Sequence, residues 1–102
     1  MAPADNLLAM LDEAAIFVAK YPAVGICSGH DTGEEFAAEL RALRDRVARQ
    51  DWSSLGRLVG IFAPTGAWDD GVGGDGSDIA NRITHVLDKM EWRRLLRGAT
   101  GR

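Results

Sequence analysis

Leu7, Leu8, Leu11, Ala14, Ala15 and Val18 recur at spacings of one, three and four residues. That rhythm predicts a helix with a single apolar face. Asp5 or Asn6 is placed to cap its start, and Pro22 and Gly25 end it near Lys20. A connection from Pro22 to Gly33 follows, in which Val24-Gly25-Ile26 is expected to run extended. A second helix starts at Thr32-Gly33-Glu34-Glu35, a capping-box sequence in which the Thr32 hydroxyl and the Glu35 carboxylate serve each other's backbone N–H groups. Phe36, Leu40, Leu43 and Val47 form its stripe. Its acids, Glu34, Glu35 and Glu39, come early and its arginines, Arg44, Arg46 and Arg49, come late, which opposes the helix dipole favourably. A third, shorter helix is expected from the N-cap Asp51, with Trp52, Leu55, Leu58, Val59 and Phe62 on one face and Pro64 as its stop. Thr65 to Ser77 is rich in glycine and aspartate and reads as a loop. The last helix opens near Ser77 or Asp78 and runs to about Arg97, with Ile79, Ile83, Val86, Leu87 and Met90 inward and Trp92 and Leu95 extending the stripe. Gly98 to Arg102 is expected to fray. Four amphipathic helices without an alternating segment imply an all-α, four-helix bundle-like single domain with a Gly/Asp-rich loop before its last helix.

Composition narrows the function. The chain has 102 residues, 46% hydrophobic and 26% charged, the balance of one globular domain. Twelve Lys+Arg against fifteen Asp+Glu give a net charge of −3, which argues against general nucleic-acid binding, since that needs a cationic face to displace counterions from phosphate. One cysteine excludes an internal disulfide framework. The apolar run from Leu7 to Ala19 is interrupted by Asp12 and Glu13, too short and too charged for a membrane span or a signal peptide. A cytoplasmic protein with no membrane partner is expected.

Five glycines and three aspartates make Thr65 to Ser77 the most unusual stretch. Gly71-Val72-Gly73-Gly74-Asp75-Gly76 matches G-x-G-x-x-G, yet the dinucleotide reading requires a preceding strand. Here a helix and a proline precede, and Asp69, Asp70, Asp75 and Asp78 would repel a phosphate. The same acids suit a hard cation, but their spacing is not that of a calcium loop: counting from Asp75, position five is Ile79 and no glutamate closes the loop. Carboxylates at a helix N-terminus and in turns are also favoured for purely structural reasons.

Cys27, His30 and Asp31 are a second candidate, as half a zinc site or a nucleophile–base pair. Only His85 remains as a further nitrogen ligand, and it falls on the polar side of the last helix. Of the adjacent acidic pairs, Asp12-Glu13 and Glu34-Glu35 lie on helices, where neighbours point about 100° apart rather than across a cleft. Trp92 among Arg93, Arg94, Arg97 and Arg102 has the look of an RNA-binding cluster. Charge compensation at a helix C-terminus accounts for it more simply.

The string from Leu55 to Asp70, a short helix ending in Phe-Ala-Pro-Thr-Gly and then a Trp-Asp-Asp turn, resembles small uncharacterised bacterial proteins similar to immunity proteins of toxin systems. That resemblance implies a non-enzymatic module, without cofactor or metal, that binds a protein partner, a toxin domain. The expected contact residues are Trp68, Asp69, Asp70, Asp75 and Asp78: the carboxylates would approach a basic cleft and steer encounter, and Trp68 would anchor it. Trp68 has an equally good alternative, folding back to close the loop. The rival functions are a metal-dependent or cysteine-based small enzyme, and a self-associating adaptor subunit with Phe17 and Ile61 exposed as an apolar patch.

Overall fold

A computed structural model describes residues 3–24, 30–63 and 66–100. These residues form six α-helices and no strand: α1 (Pro3–Ala19), α2 (Gly33–Ala48), α3 (Leu55–Phe62), α4 (Ala67–Val72), α5 (Ser77–Lys89) and α6 (Trp92–Thr100). Short 3-10 turns at Trp52–Ser54 and Gly73–Gly76 lead into α3 and α5. The all-α expectation holds, with more helix than the periodicity indicated.

α1 lies along both α2 and α5. It runs antiparallel to α2, because the N–H of Gly33 donates to the carbonyl of Tyr21 at 3.0 Å while Asp12 meets Arg44 farther back at 3.2 Å. The approach at Gly33 is so close that a Cβ there would overlap the carbonyl oxygens of Val18 and Tyr21. Glu13, one residue on from Asp12, turns instead to Arg82 of α5 at 2.6 Å. Adjacent helical acids thus serve two different neighbours, as the 100° step between them requires. The α2 start is as expected: Glu35 N–H donates to Thr32 Oγ1 at 3.2 Å, and the Glu35 carboxylate accepts from the Thr32 N–H, also at 3.2 Å.

One apolar cluster joins the helices. Leu7, Leu11 and Val18 of α1, Phe36 and Leu40 of α2, Leu55, Leu58 and Ile61 of α3, and Ile83 and Leu87 of α5 are all buried.

Six expectations are corrected. α1 begins at Pro3, ahead of Asp5, so Asp5 lies in the first turn and favours the dipole rather than capping it. Asp51 caps as expected, its carboxylate accepting from Ser53 N–H, but what it caps is a 3-10 turn and α3 itself begins at Leu55. The glycine-rich segment is folded: α4 and a 3-10 turn occupy most of it. The last helix is two helices, broken where Glu91 adopts φ 55°, and α6 continues to Thr100 where fraying was expected. Ile61 is fully buried and Phe17 packs against Tyr21 and Trp68, so the apolar patch invoked for self-association is not formed by them. Gly25 and Ile26, read as extended, Pro64, read as the helix stop, and Gly101–Arg102 lie outside the described residues.

Candidate functional site

Trp68 decides the shape of the region. Its position on the short α4 turns the indole inward, where it is 1% exposed. Phe62 sits 5.2 Å away between ring centroids, Phe17 and Phe36 both 5.9 Å, the last edge-on at 86°. Such tilted and edge-to-face pairs are the favoured aromatic arrangements. A buried indole needs an acceptor, and Nε1 donates to the Gly76 carbonyl at 2.8 Å. Gly76 is required for that approach, because a Cβ would overlap Trp68 and Val72. The expectation that Trp68 anchors a partner is therefore corrected. Its apolar area is already withdrawn from water against the protein's own aromatic residues, which is the fold-back alternative.

The acids separate from the tryptophan. Asp69, next in α4, is exposed and its side chain makes no hydrogen bond or ion pair among the described residues. Asp75 is exposed on the 3-10 turn, where its Oδ2 accepts from the Tyr21 hydroxyl at 3.3 Å. Burial first and the neighbouring Asp75 carboxylate second push the Tyr21 pKa up. Asp78, in the first turn of α5, pairs with Arg82 one turn later at 3.1 Å yet is 84% exposed. The side chain of Asp70 lies outside the described residues. Asp75 and Asp78 face the α1 side, Asp75 at Tyr21 just past α1 and Asp78 at Arg82, which also holds Glu13 of α1, whereas Asp69 borders the cleft between α3, α4 and α5. Among the described residues no three acidic, histidine or cysteine side chains gather as a metal site.

Beside Asp69 opens a cleft of about 240 Å³ between α3, α4 and α5. Phe62 and the indole of Trp68 form its inner wall, Ala80 and Thr84 its α5 side, and Asp69 belongs to its lining. A mostly apolar cleft with an unneutralised carboxylate at its edge suits a long side chain with an apolar stem and a cationic head, such as arginine or lysine.

The other candidate pair resolves differently. Cys27 lies outside the described residues. His30 Nε2 stands 2.7 Å from Glu39 Oε1, and its ring lies 5.1 Å from that of Phe36. Arg57 of α3 grips the same carboxylate through Nε at 2.6 Å and a terminal nitrogen at 2.9 Å. The Arg57 hydrogen bonds chiefly, aided by His30, hold the Glu39 carboxyl down to about 2. The Asp31 N–H donates to Glu35 Oε1 at 2.8 Å. Sequence reading missed the His30–Glu39–Arg57 clamp, since its members come from three separate segments. His85 is exposed on α5, as expected.

At the far end, Arg93 lies over the Trp92 ring at 4.7 Å and Arg94 reaches Glu91 at 3.5 Å. No helix of the described residues is long and apolar enough to cross a membrane. Comparison with protein-family models, curated proteins and solved structures finds no match for this chain.

Proposed function

We propose that the protein is a non-enzymatic binding module whose α4–α5 corner receives a basic surface of a partner protein. The observation that supports this most is Asp69: an exposed, unpaired carboxylate bordering an apolar cleft. Asp75 and Asp78, exposed on the 3-10 turn and the first turn of α5, add negative potential to this part of the surface, which speeds encounter with a cationic partner and suppresses acidic ones. The partner expected from the resemblance of Leu55 to Asp70 is a toxin domain with a basic active cleft, which this chain would neutralise by covering it. Recognition passes from Trp68 to the carboxylates. Trp68 contributes by holding α4 and the 3-10 turn in place, so that the corner is preformed and little ordering is needed on binding.

The test is co-expression with the protein encoded by the reading frame beside its gene. That protein alone is expected to arrest growth, and this chain to restore growth and co-purify with it. Asp69→Asn with Asp75→Asn and Asp78→Asn should weaken the complex by roughly tenfold or more, as loss of charge steering and a charge-assisted contact implies. Growth arrest unrelieved by this chain, or relief and affinity untouched in the triple variant, would overturn the reading.

A further inference from the structure

Among the described side chains, α6 contributes none to the buried core, whereas each of the other five α-helices does. Its apolar residues, Trp92, Leu95 and Leu96, are only partly buried. α6 lies against α3 and the Trp52–Ser54 turn, where Leu96 comes within 3.4 Å of the place a Cβ would take on Gly56. Ion pairs fasten the longer helices to one another: Asp12–Arg44 joins α1 to α2, Glu13–Arg82 joins α1 to α5, and Glu39–Arg57 joins α2 to α3. Among the described residues, the ion pair of α6 is Arg94 with Glu91, the residue just before the helix, at 3.5 Å. Both side chains are largely exposed, and such a pair contributes little. The stacking of Arg93 over Trp92 is likewise internal to α6.

The helix is also weak in itself. Nine residues are too few for a helix to persist without support. Its first turn carries Arg93 and Arg94 and no acid, so cations stand at the positive end of the helix dipole. Asp88 and Glu91 alongside offset this in part. Glu91 joins α6 to α5 at φ 55°, a left-handed conformation that costs energy for a residue with a side chain. Release of α6 lets that residue relax. We propose that α6 is a strap that lifts from the body as one unit, hinged at Glu91, while α1 to α5 stay folded. Segments with few buried apolar contacts open at lower free energy than the core, and elements that move in recognition come from that end of the range. Lifting uncovers the Trp52–Ser54 turn and the Gly56 side of α3. The strap is independent of what Asp69 binds.

The test is native-state amide hydrogen exchange of the full chain in low concentrations of urea. The amides from Leu95 to Gly98 are expected to share one protection factor, at least tenfold below those of α1 and α2, that falls with urea as surface is exposed. Simple end fraying gives instead a gradient from the C-terminus with no urea dependence, and would overturn the proposal. Glu39→Gln, which breaks the α2–α3 clamp, should lower protection in α1 and α2 at least tenfold and leave α6 unchanged, because the clamp stays made while the strap is up. An equal fall in α6 would mean that it opens only with the whole molecule. Glu91→Gly should raise α6 protection about two- to fivefold by removing the strain at the hinge, and no change would refute the hinge. Should Glu39→Gln fail to fold, trypsin acts on the parent chain. Cleavage after Arg94, in the middle of the strap, is expected while Arg41 and Arg44 of α2 stay intact and the remaining fragment keeps its helicity. Cleavage in α2 at the same rate would overturn the proposal.

Discussion

Trp68 and Gly76 act as one unit. The indole fills the space between Phe17, Phe36 and Phe62, and the Gly76 carbonyl satisfies its N–H. Trp68→Ala should cost about 3–5 kcal/mol, as for other large-to-small changes in a packed core. Trp68→Phe keeps much of the ring and leaves the Gly76 carbonyl unpaired, so about 1–3 kcal/mol is expected. Denaturant unfolding followed by far-UV circular dichroism measures both, and a loss under 1 kcal/mol for the alanine variant would contradict the packing described. Sequence alone left Trp68 between two roles because an aromatic residue in a glycine-rich stretch suits either. The deciding feature is the absent side chain at position 76, eight residues away, which lets the indole lie against the main chain. The exposure of Asp69 beside it follows from the same turn: adjacent residues of a helix point about 100° apart, so inward Trp68 leaves Asp69 outward.

At the scale of elements, the stripes of α1, α2, α3 and α5 were legible because burial writes a repeat of three and four into the sequence. The break between α5 and α6 was not legible, because Glu91 is an ordinary residue held at φ 55° and the apolar stripe continues past it through Trp92 and Leu95. A left-handed residue ending a helix is disfavoured for any side chain. Glu91→Gly is expected to raise stability by about 0.5–1 kcal/mol, seen as a higher melting temperature, whereas Glu91→Ala should not. The His30–Glu39–Arg57 clamp fastens α2 to α3 and to the segment before α2. Glu39 has a folded pKa of about 2, below its ordinary 4.5. Its contribution is therefore complete above about 4.5 and disappears as pH falls through about 2. Glu39→Gln should cost about 2 kcal/mol at pH 5.5, with the gap to the parent protein closing toward pH 2. A gap that stays constant over that range would contradict the clamp.

Across the whole molecule, α1 braces α2 and α5, and the small helix α4 spans between α3 and α5 with its tryptophan plugged into the core. That arrangement leaves the exposed Asp69 at the edge of the cleft between α3, α4 and α5. The acidic character of the segment was readable from Asp69, Asp75 and Asp78. The cleft was not, because it is made by residues of α3, α4 and α5 that meet only once the glycine-rich stretch has folded as a helix. Binding through exposed carboxylates is screened by salt, so affinity for a basic partner should fall by about tenfold between 50 and 500 mM salt. The most direct measurement is the affinity of the neighbouring reading frame's product, by titration calorimetry, for the parent protein and for the folded Asp69→Asn, Asp75→Asn, Asp78→Asn variant across that salt range. The account predicts tight, salt-sensitive binding to the parent and weaker, nearly salt-independent binding to the variant. Equal affinity and equal salt dependence for the two proteins would contradict it.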